Sequence, residues 1–179
     1  MVAQAIVFLA DAIVGFFSVL FLLRFYMQAF RVSFGGPFGH FVVTLTNWGV
    51  KPLRRVIPGL FGLDLASLLL AIALQLALMV LVLSLSGGLF VADGTTLALM
   101  VVWGAVRAVL RLSIYILIGA LIMQAVLSWV NPYSPLAGPV NQLTRPFLAP
   151  IQRLLPPISG IDLSPLVAIL LAQVVLMFL

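Results

Sequence analysis

Few side chains in this sequence can do chemistry. Among 179 residues there are one histidine, four carboxylates and no cysteine. The carboxylates are Asp11, Asp64, Asp93 and Asp162, with no glutamate beside them. Without cysteine there are no disulfides, no thiolate metal sites and no covalent haem attachment. His40 is alone, so a serine–histidine pair at membrane depth and bis-histidine haem ligation within one chain are both excluded. No serine sits in a G-x-S-x-G context. An aspartyl dyad needs two aspartates sharing one proton. Asp64 and Asp162 are the candidates, and both stand just before apolar runs, where a helix N-cap belongs. Capping is therefore expected of them, together with pairing to Arg55 and Arg153; an ion or proton site is the sharper alternative. The expectation is of no catalytic residue, no cofactor and no metal site.

The elements that hold these residues are very apolar. Charged residues make up 7% of the chain, against about 25% in soluble domains, and the mean hydropathy is +1.32. Such a chain cannot cover its own surface against water, which excludes a disordered chain, a collagen and a soluble enzyme. A span needs about 20 apolar residues. Four runs qualify: about 3–30, broken only by Asp11 and Arg24; 65–85, without charge; 97–130, carrying Arg107 and Arg111; and 163–179, at the lower limit of length. The first run has no basic segment before it and no small-x-small cleavage site after it, so it reads as a retained span.

Basic residues orient the spans. Arg31, Lys51, Arg54 and Arg55 lie between the first two, and Arg145 and Arg153 between the last two, whereas the stretch 86–96 has none. By the positive-inside rule the two long segments are cytoplasmic and both termini face the other side. Arg107 and Arg111, nearer the outer end of the third run, count mildly against this.

The two halves repeat. Gln28 recurs as Gln124 at an offset of 96. After a two-residue difference in the loop, Thr46, Pro52, Arg55, Pro58, Asp64 and Gln75 recur as Thr144, Pro150, Arg153, Pro156, Asp162 and Gln173 at an offset of 98. Ordered polar and proline matches carry weight that Leu and Val matches would not. The chain therefore divides into a repeat over 1–85, an outer loop over 86–96 and a second repeat over 97–179. An even number of spans in each makes the repeats parallel. The expected fold is all-α: four transmembrane helices from two parallel span–interfacial helix–span repeats.

The interfacial segments are expected over 38–57 and 134–155. In the first, His40, Thr44, Asn47, Lys51 and Arg54 or Arg55 follow helical spacing opposite Phe41, Leu45, Trp48 and Val56. A basic face opposite an aromatic one suits the headgroup plane. Lys51, Arg54, Arg55, Arg145 and Arg153 would then meet anionic headgroups, each contributing about 1 kcal/mol; the plainer alternative is a solvated connector. Prolines 139, 146 and 150 predict a broken helix in the second copy. The charges are too few, and stacking platforms too absent, for nucleic-acid binding.

Polar residues within the spans are functional candidates. Arg24 is expected to snorkel to the cytoplasmic headgroups. Gln28, Gln124, Gln75 and Gln173 are expected to hydrogen-bond between helices, or else to line a solute path. Asp11, shifted by 96, falls on Arg107, which suggests an ion pair towards the outer side; the alternative is that each faces water near the interface.

Three stretches of the first half carry a resemblance: Leu22-Leu23-Arg24-Phe25-Tyr26-Met27-Gln28, Lys51-Pro52-Leu53-Arg54-Arg55-Val56-Ile57-Pro58 and Gly62-Leu63-Asp64-Leu65-Ala66-Ser67-Leu68-Leu69. In the second half, Pro150-Ile151-Gln152-Arg153-Leu154-Leu155-Pro156 and Gly160-Ile161-Asp162-Leu163-Ser164-Pro165 carry it again. From about Leu20 to Leu179 the chain resembles the YggT family, also called YlmG. Gln152 departs from the family's pattern, where a second arginine is frequent. The resemblance implies a multi-pass bacterial inner-membrane protein, with links to osmotic tolerance, cell or nucleoid organisation and cytochrome b assembly, and no enzymatic activity. The expected function is that of an accessory or assembly factor whose partners are membrane lipids, other membrane proteins or a second copy of itself. The alternative is an ion or solute transporter, or a modulator of one.

Overall fold

The computed structural model describes residues 1–57, 59, 62–87, 93–155 and 162–179. These form six helices: α1 (Val2–Ala29), α2 (Pro37–Arg54), α3 (Leu65–Leu85), α4 (Gly94–Val130), α5 (Ala137–Leu154) and α6 (Ser164–Phe178). Pro58, Pro156 and Gly160, expected in the closing turns, lie outside the described residues.

Three helices, α1, α3 and α4, are long and apolar enough to cross a membrane. The fourth expected span is shorter than the sequence suggested. α6 is apolar but has 15 residues, about 22 Å at 1.5 Å per residue, against a hydrocarbon core of about 30 Å. α4, with 37 residues, starts earlier than expected because Asp93 caps it, accepting from Thr96 N and Thr96 Oγ1.

α1 ends in a Schellman turn: Val32 N donates to Met27 O and Arg31 N to Gln28 O. Met27 and Val32 pack together in one buried cluster, the apolar contact that accompanies this motif. Arg31 takes the left-handed position, φ 56°, where glycine is usual. The chain then turns into α2, which opens on Pro37. Gly39 makes this approach possible, since a β-carbon there would collide with the backbone of Phe34.

α2 lies against α1 and α3, and α5 against α4 and α6. The buried positions of α2 include Val42, Thr46 and Val50; at the offset of 98 these become Val140, Thr144 and Leu148, buried in α5. α2 thus presents a third face beyond the two expected. Its small and β-branched residues pack on the spans, Phe41 and Trp48 stay exposed, and Lys51 and Arg55 point outward. The expected break in the second copy is absent. α5 runs through Pro146 and Pro150. Both are exposed, so the carbonyls they leave unbonded lie on the open side of the helix, and Pro139 falls in the first turn, where an N–H is free anyway.

The main cluster joins Phe21 and Leu22 of α1, Val50 of α2, Ala66 and Ala71 of α3 and Val109 of α4. A second one, Leu121, Leu148 and Ala168, ties α4, α5 and α6 together. For helices this apolar in a membrane, burial from water adds little, so close packing and interhelical hydrogen bonds would carry their association.

Candidate functional site

The polar side chains converge at one place, the junction of α1, α2 and the start of α3. Asp64 is its centre. As N-cap of α3 its Oδ1 accepts from Ser67 N at 3.4 Å, and its Oδ2 accepts from Ser67 Oγ at 2.7 Å. Arg54, one turn from the buried Val50 of α2, grips the same carboxylate twice. Arg54 Nε donates to Oδ1 at 3.1 Å and Nη2 to Oδ2 at 2.6 Å. This two-pronged geometry is the stronger form of a guanidinium–carboxylate contact.

Arg24 approaches from α1, its Nε 3.3 Å from Asp64 Oδ2. Its Nη1 donates to Thr46 Oγ1 at 2.7 Å and to Asn47 Oδ1 at 3.0 Å. Gln28, one turn on, accepts from Arg54 Nη2 at 3.0 Å and donates from Nε2 to Gly62 O at 3.0 Å. Arg24 is 5% exposed and Asp64 1%. Burial works against the Asp64 carboxylate, but the hydrogen bonds from Arg54 and Ser67, with the charges of Arg54 and Arg24, outweigh it and hold the carboxyl below the usual aspartate value.

Several expectations change here. Arg24 does not snorkel: Thr46, Asn47 and Asp64 supply inside the protein what headgroups would supply outside. Asp64 does cap, but its partner is Arg54 and not Arg55. At 100° per residue Arg55 falls about 180° from Thr46, on the far side of α2. Arg54 accordingly reaches this carboxylate, though 42% of its side chain stays exposed, whereas Lys51, Arg55, Arg145 and Arg153 are exposed and make no ion pair among the described residues.

The second repeat keeps the frame and the aspartate but loses both arginines. Ala120 stands at the position of Arg24 and Gln152 at that of Arg54. Thr144 Oγ1 donates instead to Gln124 Oε1. Gln152 Nε2 donates to Asp162 Oδ2 at 2.8 Å, and Asp162 Oδ1 accepts from Ser164 N at 2.9 Å. Asp162 thus satisfies the start of α6 from one residue before the N-cap, Leu163, and its pairing with Arg153 is not formed. Gln75 is buried and donates to Ser18 Oγ of α1 at 3.0 Å. Gln173 is exposed, and Ile114 occupies the place of its Ser18.

The expected Asp11–Arg107 ion pair is not made. Both residues are exposed. Arg107 lies over the Trp103 ring, 5.5 Å from its centroid, and Asp11 lines an open cleft with Gln4, Val82 and Ser86. Both charges stay on the open surface, where they do not need each other's charge to be compensated.

Thr46, Asn47, Ser18 and Ser67 are the partners that sequence reasoning missed. The recurrence of Thr46 as Thr144 was a signal, since both lie directly beneath a polar side chain of the preceding span. Between the repeats run two apolar clefts. One of about 210 Å³ is lined by Tyr26, Phe30, Leu143 and Phe147, and one of about 430 Å³ by Leu23, Phe38, Tyr115 and Met123; Ala120 borders both. Among the described residues no group of three His, Asp or Glu side chains is placed to hold a metal ion.

An all-helical chain with long apolar helices and a buried ion cluster at one end of the bundle has the character of a membrane-associated protein. The chain belongs to the CCB3/YggT family, whose model matches residues 3–85 and 103–179. It is 39% identical over 173 residues to the uncharacterized protein PA0392 of Pseudomonas aeruginosa, covering 96% of this chain and 86% of that one. To the uncharacterized protein YggT of Escherichia coli K12 it is 35% identical over 174 residues, covering 96% and 87%. A protein of Vibrio alginolyticus named from the proC 3' region is 37% identical over 164 residues, covering 89% and 85%. No solved structure matches the chain.

Proposed function

We propose that this is a four-span protein of the bacterial inner membrane, with α6 as the fourth span, both long segments cytoplasmic, and a non-enzymatic role as an accessory or organising factor for membrane complexes or osmotic tolerance. One observation carries this reading. The two buried ionisable groups, Arg24 and Asp64, bind each other, Arg54 holds Asp64 from the half-exposed side, and Ser67, Thr46, Asn47 and Gln28 complete their bonds. A cluster so closed is a clamp between span and cytoplasmic helix. The clefts between the repeats are apolar, which suits lipid tails or a partner helix better than a hydrated solute. Lys51, Arg55, Arg145 and Arg153 on the outward faces of the cytoplasmic helices suit anionic headgroups. None of these features fits a nucleic-acid partner.

The alternative, an ion or solute transporter or a modulator of one, draws support from the small cleft of about 190 Å³ lined by Gln124, Ser128 and Asn141 at the end of α4. Flux separates the two. Purified protein in liposomes is expected to leave the release of entrapped potassium, protons and small osmolytes at the rate of empty vesicles. A protein-dependent flux abolished by Gln124→Leu would establish the transporter instead.

A further inference from the structure

The outward side of α4 carries charge. Trp103, Arg107, Arg111 and Tyr115 follow one another at four-residue spacing, which sets them along one stripe of the helix. Arg107 and Arg111 each stand two residues on from a buried position, Ala105 and Val109, about 200° round the helix and so turned away from α3. All four are exposed, Trp103 to 63% and Tyr115 to 56%. Arg107 lies over the Trp103 ring. Neither guanidinium makes an ion pair among the described residues.

Their depth follows from what α4 touches. α3 is an uncharged helix of 21 residues, about 31 Å long and so as long as the hydrocarbon core is thick. Met79, about 9 Å in from its Leu85 end, has its Cε against Gly104 of α4. Val109, further along α4, packs in the cluster of Ala66 and Ala71, further back along α3. The two helices are therefore antiparallel. Arg107 falls about 13 Å, and Arg111 about 20 Å, from the Leu85 end of α3. Both stem from the middle of the span, on the outside of the bundle. Ionisable residues at that depth face a bundle interior or a water-filled cavity and pair, because lipid offers a charge neither hydrogen bonds nor a counter-ion. Snorkelling serves arginines near helix ends, and Arg111 lies deeper than an arginine side chain reaches.

The charge specifies what covers this stripe: a helix with a carboxylate at mid-depth. A second copy does not bring one there. Asp64 is held by Arg24 and Arg54, Asp93 caps the start of α4, Asp162 accepts from Gln152, and Asp11 lies beside Val82 and Ser86 at the Leu85 end of α3. We infer that the stripe docks a membrane-spanning helix of another protein, whose Asp or Glu at mid-span pairs with Arg107 and Arg111 between the rings of Trp103 and Tyr115. The inference rests on reading α3 and α4 as spans, and it names the kind of partner that the accessory role proposed above requires.

Model helices test it. Ser86→Cys, in a chain without cysteine of its own, carries a donor dye. The full-length protein is reconstituted in phosphatidylcholine vesicles with an acceptor-labelled leucine–alanine span that has Asp, Asn or Leu at its centre. Energy transfer is expected to rank Asp above Asn above Leu, with the Asp helix bound about tenfold more tightly than the Leu helix. Arg107→Leu with Arg111→Leu is expected to abolish that preference. Arg107→Lys with Arg111→Lys is expected to keep it, which guards against a change of fold. Equal binding of the Asp and Leu helices by the native chain would overturn the inference, as would an Asp preference that survives the double leucine variant. Energy transfer between donor- and acceptor-labelled copies that depends on both arginines would show a second copy on the stripe. Loss of the Asp preference on adding phosphatidylglycerol would show lipid phosphate there. Either result overturns the inference. Flux is read separately: a potassium or proton flux leaves the docking result standing, and a failure to dock leaves an absence of flux standing.

Discussion

At the scale of single residues, Asp64 holds three jobs at once: it caps α3, anchors Arg54 and balances Arg24. Removing its charge strands a buried guanidinium, and breaking such a pair costs about 3–5 kcal/mol. Asp64→Asn is therefore expected to lower stability by about 3 kcal/mol in thermal or denaturant unfolding of the detergent-solubilised protein. Thr46→Val, which removes one hydroxyl from Arg24, is expected to cost about 1–2 kcal/mol. The pH dependence follows from the same carboxylate. Its folded pKa lies below the value of about 3.9 for a free aspartate, so the folded state binds its proton less readily than the unfolded one. The stability it contributes is complete well above that value and is lost as pH falls through the folded pKa. Unfolding midpoints followed from pH 7 to pH 3 should drop more steeply in the native chain than in Asp64→Asn below about pH 4–5.

At the scale of elements, the join between α1 and α2 is where the backbone departs most from what its residues prefer. Arg31 occupies a left-handed position that glycine fills without steric cost. Arg31→Gly is expected to raise stability by about 0.5–1 kcal/mol, read as a higher unfolding temperature. Two residues on from the proline that opens α2 the constraint reverses: Gly39→Ala would press a methyl into the backbone of Phe34, so the unfolding temperature should fall. The pair separates a backbone effect from a general sensitivity of this region.

At the scale of the whole molecule, the repeats share a frame and differ in charge. Asp11 and Arg107 occupy matching places with opposite signs but never meet, so the stability losses of Asp11→Ala and Arg107→Ala should add in the double variant. A coupling term above about 0.5 kcal/mol would contradict the observed separation. Orientation is open to direct measurement in whole cells with an impermeant maleimide. Ser86→Cys is expected to label and Ser134→Cys to stay protected; the reverse would place the basic segments outside. The helical class, the three long apolar helices, the helical nature of the first connecting segment and the family were all legible in the sequence. Apolar run length and polar recurrences are local properties, and a chain in lipid must satisfy its backbone within each helix. What only the tertiary structure decided is which polar side chains meet. Arg24 turns inward, Arg54 rather than Arg55 finds Asp64, and Gln75 finds a hydroxyl that Gln173 lacks. Each outcome depends on the rotation of one helix against another by a fraction of a turn, and linear spacing does not carry that angle between elements. The prolines of α5 illustrate the same limit: sequence alone marks them as breaks, whereas packing on α4 and α6 holds the helix through them.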